Sequence, residues 1–256
     1  MSEAALTMHS VRLTDLGRRS NNEDALLATG RLLAVADGVG GATSGEVASR
    51  MVIDAMSSLD KRRLAKPLTE ELCEAVLEAN QRLRFVVSCR PHLAGMASTL
   101  TVVALSNEGS YVVANVGDSR TYLFRAGRLT QLTRDQSLVQ ELLDRGAITA
   151  EQAREHPQRS VVLAALDGGE RAEPDIAVVA AEAGDRLLLC SDGLSDVVGD
   201  EDIATILGAH HRDEAAQQLV STALHRGGRD NISLVVADVV AAEQPEQGWW
   251  DVLPAR

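Results

Sequence analysis

The sequence predicts an α+β sandwich, because apolar, β-branched runs bunch in the middle of the chain while pairs of amphipathic helices stand before and after them. Regular alternation of one strand with one helix, the mark of a parallel sheet, is missing. The first strand is read at residues 32–36. A helix follows at 44–59, where Val47, Met51, Val52, Ala55 and Leu59 fall near one face. A second helix spans 69–87: Thr69, Leu72, Val76, Leu77, Leu83 and Val87 form a mainly apolar stripe, and Glu70 and Glu71 suit the positive end of the helix dipole. Strands come next at 99–105, 111–116 and 120–124. The links Asn107-Glu108-Gly109 and Ala126-Gly127-Arg128 are short and turn-forming, so the runs they join are antiparallel neighbours. Residues 135–157 are polar and helical in composition and interrupt the strand series; they form either a mobile excursion beside the site or an ordinary pair of surface helices. Strands resume at 176–180, 186–190 and 232–240, with helices at 200–207 and 213–224 before the last of them. Residues 241–256 contain Pro245, Gly248 and Pro254 and read as a tail outside the domain. Trp249 and Trp250 in that tail dock either on the domain itself or on a partner.

Composition narrows the function classes. At 256 residues and 45% hydrophobic content the chain has ample material for a substantial core. A formal net charge of -12 disfavours nucleic acid, whose phosphate backbone demands clustered Lys and Arg. No segment has the uninterrupted apolar length of a membrane span, and the N-terminus lacks a basic region followed by an apolar stretch, so a soluble cytoplasmic protein is expected. Cys73, Cys89 and Cys190 have no metal-ligand spacing, and their odd number argues against a disulfide framework. Cys190, inside an apolar run, is expected to be a small buried residue.

Four aspartates sit at the ends of apolar runs far apart in the chain: Asp37 in LLAVADG, Asp118 in VVANVGD, Asp192 in LLLCSDG and Asp230 in GGRDNISLVV. A strand buried along its length offers an acid only where it surfaces, so such residues are able to converge on one point. Gathered carboxylates raise one another's pKa unless a cation neutralises them, and oxygen donors favour Mg²⁺ or Mn²⁺. Any single Asp-Gly pair is most simply a turn. Other residues add to the pattern. In RSNNED, residues 19–24, an arginine capable of gripping phosphate with paired donors precedes two acids. In ADGVGGATSGEVAS, residues 36–49, glycines permit close backbone approach to a ligand, yet the spacing is neither that of a P-loop nor that of a dinucleotide fingerprint.

RSNNED, ADGVGGATSGEVAS, NVGDSR, CSDGLSD and GGRDNIS occur here in the order in which the metal-dependent protein phosphatases of type 2C use them, and they span residues 19–233. The chain therefore resembles a bacterial member of that family, with its catalytic domain at residues 7–240 and, at about 133–160, a segment similar to the family's flap. The resemblance implies a four-layer α-β-β-α sandwich of two antiparallel sheets flanked by helix pairs. It implies a centre of two Mg²⁺ or Mn²⁺ ions, with a third, weaker ion in addition. Asp37 would bridge the two ions, the Gly38 carbonyl would bind one, and Asp192 and Asp230 would complete the other's shell. Glu23 and Asp24 match acids that hold metal-bound water. Asp118 matches the ligand of the third ion, with Asp192 shared and Asp196 contributing, and Asn231 would help to order the shell around Asp230. Arg19 matches the residue that binds the substrate phosphate.

The activity implied is hydrolysis of phosphoserine and phosphothreonine in proteins by a hydroxide bridging the two ions, opposing a bacterial Ser/Thr kinase and carried out by a monomer. No covalent phosphoenzyme is required: no cysteine sits in a glycine-rich phosphate loop followed by arginine, and the histidines lie outside the five motifs. Two other readings stand beside it: a catalytically weak relative that uses the fold to bind a regulatory partner, and a hydrolase of small phosphate esters. The chain departs from the family's pattern in four places: a single residue, Arg18, separates Gly17 from Arg19, Ala42 and Gln136 stand where histidine is usual, and Ala164 stands where arginine is frequent.

Overall fold

The apolar runs of the sequence pair into two five-stranded antiparallel sheets laid face to face. The computed structural model describes residues 5–40, 44–170 and 172–242. The chain begins with β1 (Leu6–Asp15), β2 (Ala25–Ala28), β3 (Leu32–Ala36) and β4 (Gly38–Val39), followed by helices α1 (Ser44–Lys61) and α2 (Leu68–Cys89). Its middle supplies β5 (Ala97–Ser98), β6 (Leu100–Leu105), β7 (Ser110–Val116), β8 (Arg120–Arg125) and β9 (Arg128–Gln131). Two short helices, α3 (Leu138–Asp144) and α4 (Ala150–Arg154), precede β10 (Asp175–Ala180) and β11 (Arg186–Cys190). The described chain closes with α5 (Asp192–Ser195), α6 (Asp200–Ala209), α7 (Arg212–His225) and β12 (Ile232–Ala241). One sheet has the order β1-β12-β11-β8-β9, the other β10-β7-β6-β3-β2, and β4 and β5 form a small ribbon of their own.

Period-two alternation explains why the central strands read as unbroken apolar runs. In β3, Leu33 and Val35 face the second sheet, where they join Val103, Val113, Leu187, Leu189 and Val235. Leu32, Ala34 and Ala36 face the other way, onto Val52, Met56, Leu72 and Val76 of α1 and α2. The partner sheet repeats the arrangement, with Leu188, Cys190, Leu234 and Val236 packed on Leu207, Ala215, Leu219 and Ala223. Helices cover both outer faces, so the central strands have no solvent side and the four-layer sandwich follows. At one end of it β1, β3, β7 and β11 finish and β12 starts. The loops carrying Arg19, Asp37, Asp118, Asp192 and Asp230 leave the sheets at or beside that end.

Several elements differ from the sequence reading. β1 and β9 escape it because they lie at sheet edges with one polar or exposed face, as in the alternating LTMHSVRLTD of β1, and the edge strand β2 escapes it because ALLA is only four residues long. Asp192 opens the single-turn helix α5 instead of ending a strand, and the stripe on α2 is completed by small residues, Ala75 and Ala79. The interrupting segment forms α3 and α4, each started by a hydroxyl cap: Ser137 accepts from the Gln140 amide and Thr149 from that of Gln152. Ala42 and the stretch with Trp249 and Trp250 lie outside the described residues. One position carries visible strain: Arg125 pairs with Arg128 across a two-residue turn in which Ala126 has φ 49° and Gly127 φ 78°. Left-handed alanine costs on the order of 1 kcal/mol, and Asn-Gly is the natural pair for such a turn. Ala126→Asn is therefore expected to raise unfolding free energy by about 0.5–1 kcal/mol in urea denaturation.

Candidate metal centre

Backbone clamps fix the acids before any ion is considered. Where β3 ends, the Asp37 amide donates to Thr99 Oγ1 at 3.1 Å and the Thr99 amide donates back to the Asp37 carbonyl at 2.8 Å. The next residue admits no side chain, since a Cβ on Gly38 would stand 2.2 Å from the Gly45 carbonyl oxygen at the start of α1. Gly38 N in turn donates to the Glu23 carbonyl at 3.2 Å, and that oxygen also accepts from Ser49 Oγ at 2.5 Å. Asn231 ties the N-terminal loop to β12: its Oδ1 accepts from the Glu23 amide at 2.9 Å, while Nδ2 donates to the carbonyls of Asn21 at 2.9 Å and Leu16 at 3.2 Å. Gly17, at φ 57°, lets this loop press so close that a Cβ there would lie 2.0 Å from the Asp230 carbonyl oxygen. With the loop held this way, Arg19 Nη2 reaches Asp230 Oδ2 at 2.7 Å.

Eight of the residues singled out from the sequence line one cavity of about 540 Å³: Arg19, Glu23, Asp37, Gly38, Asp118, Asp192, Asp230 and Asn231. Asp24 stands behind it, its Oδ2 accepting from Ser191 Oγ at 3.0 Å. Asp196 lies in an adjoining cavity of about 290 Å³ that shares Asp118 and Asp192 with the first, and it pairs with Arg159 at 3.6 Å. No histidine or cysteine lines either cavity. Cys190 is buried, and burial pushes its thiol up to about 12, which removes it as a nucleophile near neutral pH.

Crowding shows in the acids' proton affinities. Burial, then the charges of Asp24, Asp192, Asp118 and Asp230, holds Asp37 well above the ordinary carboxylate range. Burial, then Asp118, Asp196, Asp230 and Asp24, does the same to Asp192. Asp24 is raised to about 6, chiefly by burial, and Asp118 to about 6 by burial and then by the charge of Asp135. Two buried oxygens, Asp24 Oδ1 and Asp192 Oδ1, have no protein hydrogen-bond partner. Among the described residues no three of these side chains already stand as a closed ligand shell. The cavity offers instead a set of hard oxygen donors, some unsatisfied, from separate elements, and that donor set fits Mg²⁺ or Mn²⁺.

The sequence reading missed the residues that support the acids. Thr99 clamps Asp37, Ser191 holds Asp24, and Arg120 grips both oxygens of Asp135 at 2.7–3.0 Å behind Asp118. Gln136, a departure from the family's pattern, turns out to be a staple. Its Oε1 accepts from the Gly117 amide at 2.8 Å and its Nε2 donates to Asp175 Oδ2 at 2.9 Å, joining the loop before Asp118 to the edge strand β10. Thr99 began a run read as a strand and Ser191 directly precedes Asp192, but neither position signals a partner distant in sequence.

A binuclear-type acid pocket at the end of a four-layer sandwich defines the class, and comparison with known proteins agrees. Residues 15–227 match the family model described as protein phosphatase 2C. The chain is 46% identical over 241 residues to the serine/threonine protein phosphatase PstP of Mycobacterium tuberculosis, covering 94% of this chain and 46% of PstP. It thus spans about half the length of that relative. It is 37% identical over 242 residues to the serine/threonine phosphatase stp of Listeria monocytogenes, covering 90% of this chain and 96% of that one. Among solved structures, the catalytic domain of PstP in complex with two manganese ions superposes with a TM-score of 0.85 at 43% identity, covering 92% of this chain and 99% of that one. The chain belongs to the protein phosphatase 2C family.

The raised acids fix the sign of a pH effect. A carboxyl near 6 in the folded protein and near 4 in the unfolded chain binds more protons when folded across that interval, so without metal these groups add stability as pH falls from 7.5 towards 5. In EDTA the unfolding midpoint is expected to rise over that range, by roughly 2–4 °C per kcal/mol gained. Mn²⁺ should remove the rise by stabilising the ionised acids, and Asp24→Asn should reduce it. Scanning calorimetry at stepped pH, with and without Mn²⁺, checks all three.

Proposed function

We propose that this chain is a divalent-metal-dependent phosphatase that removes phosphate from phosphoserine and phosphothreonine in proteins. The observation that carries the reading is the convergence of Asp37, Asp118, Asp192 and Asp230 on one cavity with Arg19 at its side. The serine/threonine phosphatase activity for which PstP and the Listeria relative are named supports it. The domain responsible is residues 7–240, with the flap at about 133–160. Its partners on this reading are phosphorylated proteins and the bacterial Ser/Thr kinase whose products they are, met in the cytoplasm by a monomer. Among the described residues no helix is long and apolar enough to cross a membrane.

Each residue's part follows from its chemistry. Asp37, the Gly38 carbonyl, Asp192 and Asp230 are the oxygens that would hold two Mg²⁺ or Mn²⁺ ions, and Asp118, with Asp192 and Asp196, would hold a third. Bound there, divalent ions supply the charge that makes a water nucleophilic near neutral pH and that offsets the negative charge shifting within the phosphate during in-line displacement. Glu23 and Asp24 keep acceptors for water hydrogens beside those oxygens, and Asn231 fixes the loop that bears them. Arg19 brings a planar fork of donors of which Asp230 takes one, leaving others for phosphate oxygens. No cysteine or histidine is among the described residues lining the cavity, which accords with direct attack by water without a covalent phosphoenzyme.

Phosphate release from a phosphothreonine peptide tests the reading. Turnover is expected with Mn²⁺ and not with EDTA, and Asp192→Ala or Asp37→Asn should lower kcat by at least about a hundredfold. Metal-independent turnover would sink it. Arg19→Ala is expected to raise KM more than it lowers kcat, because its grip on phosphate exists in the ground state as well as the transition state. Equal losses in kcat and kcat/KM would contradict that role.

A further inference from the structure

The floor of the cavity is acidic, but its mouth is apolar. Val39 is 48% exposed and Val161 39% exposed, and both line the same cavity as Asp37 and Arg19, together with Ala97, Val162 and Ala165. Leu163, 52% exposed, stands two residues further along the same segment. This rim is built into the fold and is not a loose loop. Val39 lies opposite Ala97 and Gly38 opposite Ser98 in the β4–β5 ribbon, so the rim shares backbone with the clamp on Asp37. Ser98 exchanges backbone hydrogen bonds with Leu166 at 2.8 and 2.9 Å, Val162 bridges to Ser137, and the Leu163 amide donates to the Gln136 carbonyl at 2.7 Å. Residues 162–166 are thereby strapped at both ends. Aliphatic side chains held in water beside a binding cavity forgo roughly 25 cal/mol for each Å² left uncovered, and such patches mark contact surfaces.

We infer that the rim of Val39, Val161 and Leu163 receives an apolar side chain flanking the phosphorylated residue, so that this chain prefers phosphopeptides with a leucine-like neighbour to the phosphoserine or phosphothreonine. The inference rests on the phosphatase reading above. Successive residues of a peptide are only about 3.8 Å apart, so the neighbours of a residue whose phosphate reaches Arg19 and the acids must cross the mouth. Charge decides which neighbours gain. Among the described residues lining this cavity Arg19 is the one cation, and on this reading the substrate phosphate takes its free donors while bound divalent ions offset the acids of the floor, so an acidic neighbour finds no free cationic side chain there. A basic neighbour at the wet mouth gains only a screened attraction. An apolar neighbour covers the valines and leucine directly.

The test uses the manganese-loaded full chain and phosphothreonine peptides that differ only at the residues immediately before and after the phosphothreonine, being Leu, Ala, Lys or Glu there, with an aryl phosphate run alongside. The expected result is a kcat/KM for the Leu peptide about tenfold above the Ala peptide, with Lys and Glu peptides no better than Ala. Val161→Ser and Val39→Ser should each bring the Leu-to-Ala ratio to within about threefold of unity; a ratio is read so that general losses cancel. Leu and Ala peptides cleaved equally by the unaltered chain, a Lys or Glu peptide cleaved best, or a preference unchanged in both variants would overturn the rim while leaving the phosphatase reading intact. No release from any peptide or from the aryl phosphate would overturn both.

Discussion

Mutual repulsion among carboxylates that have been taken out of water is the constraint around which this molecule is arranged. Asp37 and Asp192 sit well above the ordinary carboxylate range because burial and several neighbouring acids act on each at once. A fold that places them so has to spend stability from elsewhere. The doubly covered sheets provide it: Leu33, Val35, Leu187, Leu189 and Val235 bury a dry layer between the sheets, and each outer face carries a helix pair. Divalent ions bound at the acid end would turn the repulsion into attraction and so would couple metal binding to stability.

Rigid placement matters as much as charge, and it comes from backbone packed too closely for side chains. Gly17 against Asp230, Gly38 against Gly45 and Gly193 against Asn231 are contacts in which an added Cβ would fall 2.0–2.2 Å from a carbonyl oxygen. Around them Asn231 and Thr99 supply hydrogen bonds that link the N-terminal loop, β12 and the end of β3 into one unit. The acids therefore inherit the stiffness of the sandwich although they stand on its loops.

The segment beyond β9 is organised for a different purpose. The buried Arg120–Asp135 pair and the Gln136 staple fasten its start to the loop of Asp118, and the backbone bridges at Val162 and Leu166 fasten its return. Along its return it places Val161 and Val162 in the lining of the cavity and leaves Leu163, one residue further on, exposed. Val39, by contrast, directly follows Gly38, so one part of the rim shares its backbone with the acid floor while the part at Val161 comes from this distant segment.

The sequence by itself determined the central strands, the helix pairs and the acids at the strand ends. Strand residues covered on both faces must be apolar, as LLAVA and the LLLC of β11 are, and a carboxylate in such surroundings is conspicuous. Edge strands β1 and β9 stayed hidden because one wet face breaks the pattern, and β2 because four residues are too short a run to mark a strand. Only the tertiary structure decided which neutral polar residues serve the site. Thr99, Ser191 and Gln136 carry no charge and resemble any other Thr, Ser or Gln in the sequence; their roles arise from partners 62, 167 and 19 residues away. The rim was equally illegible, since a valine is marked for the core by its chemistry, and only the ribbon of β4 and β5 leaves Val39 facing water beside the acids.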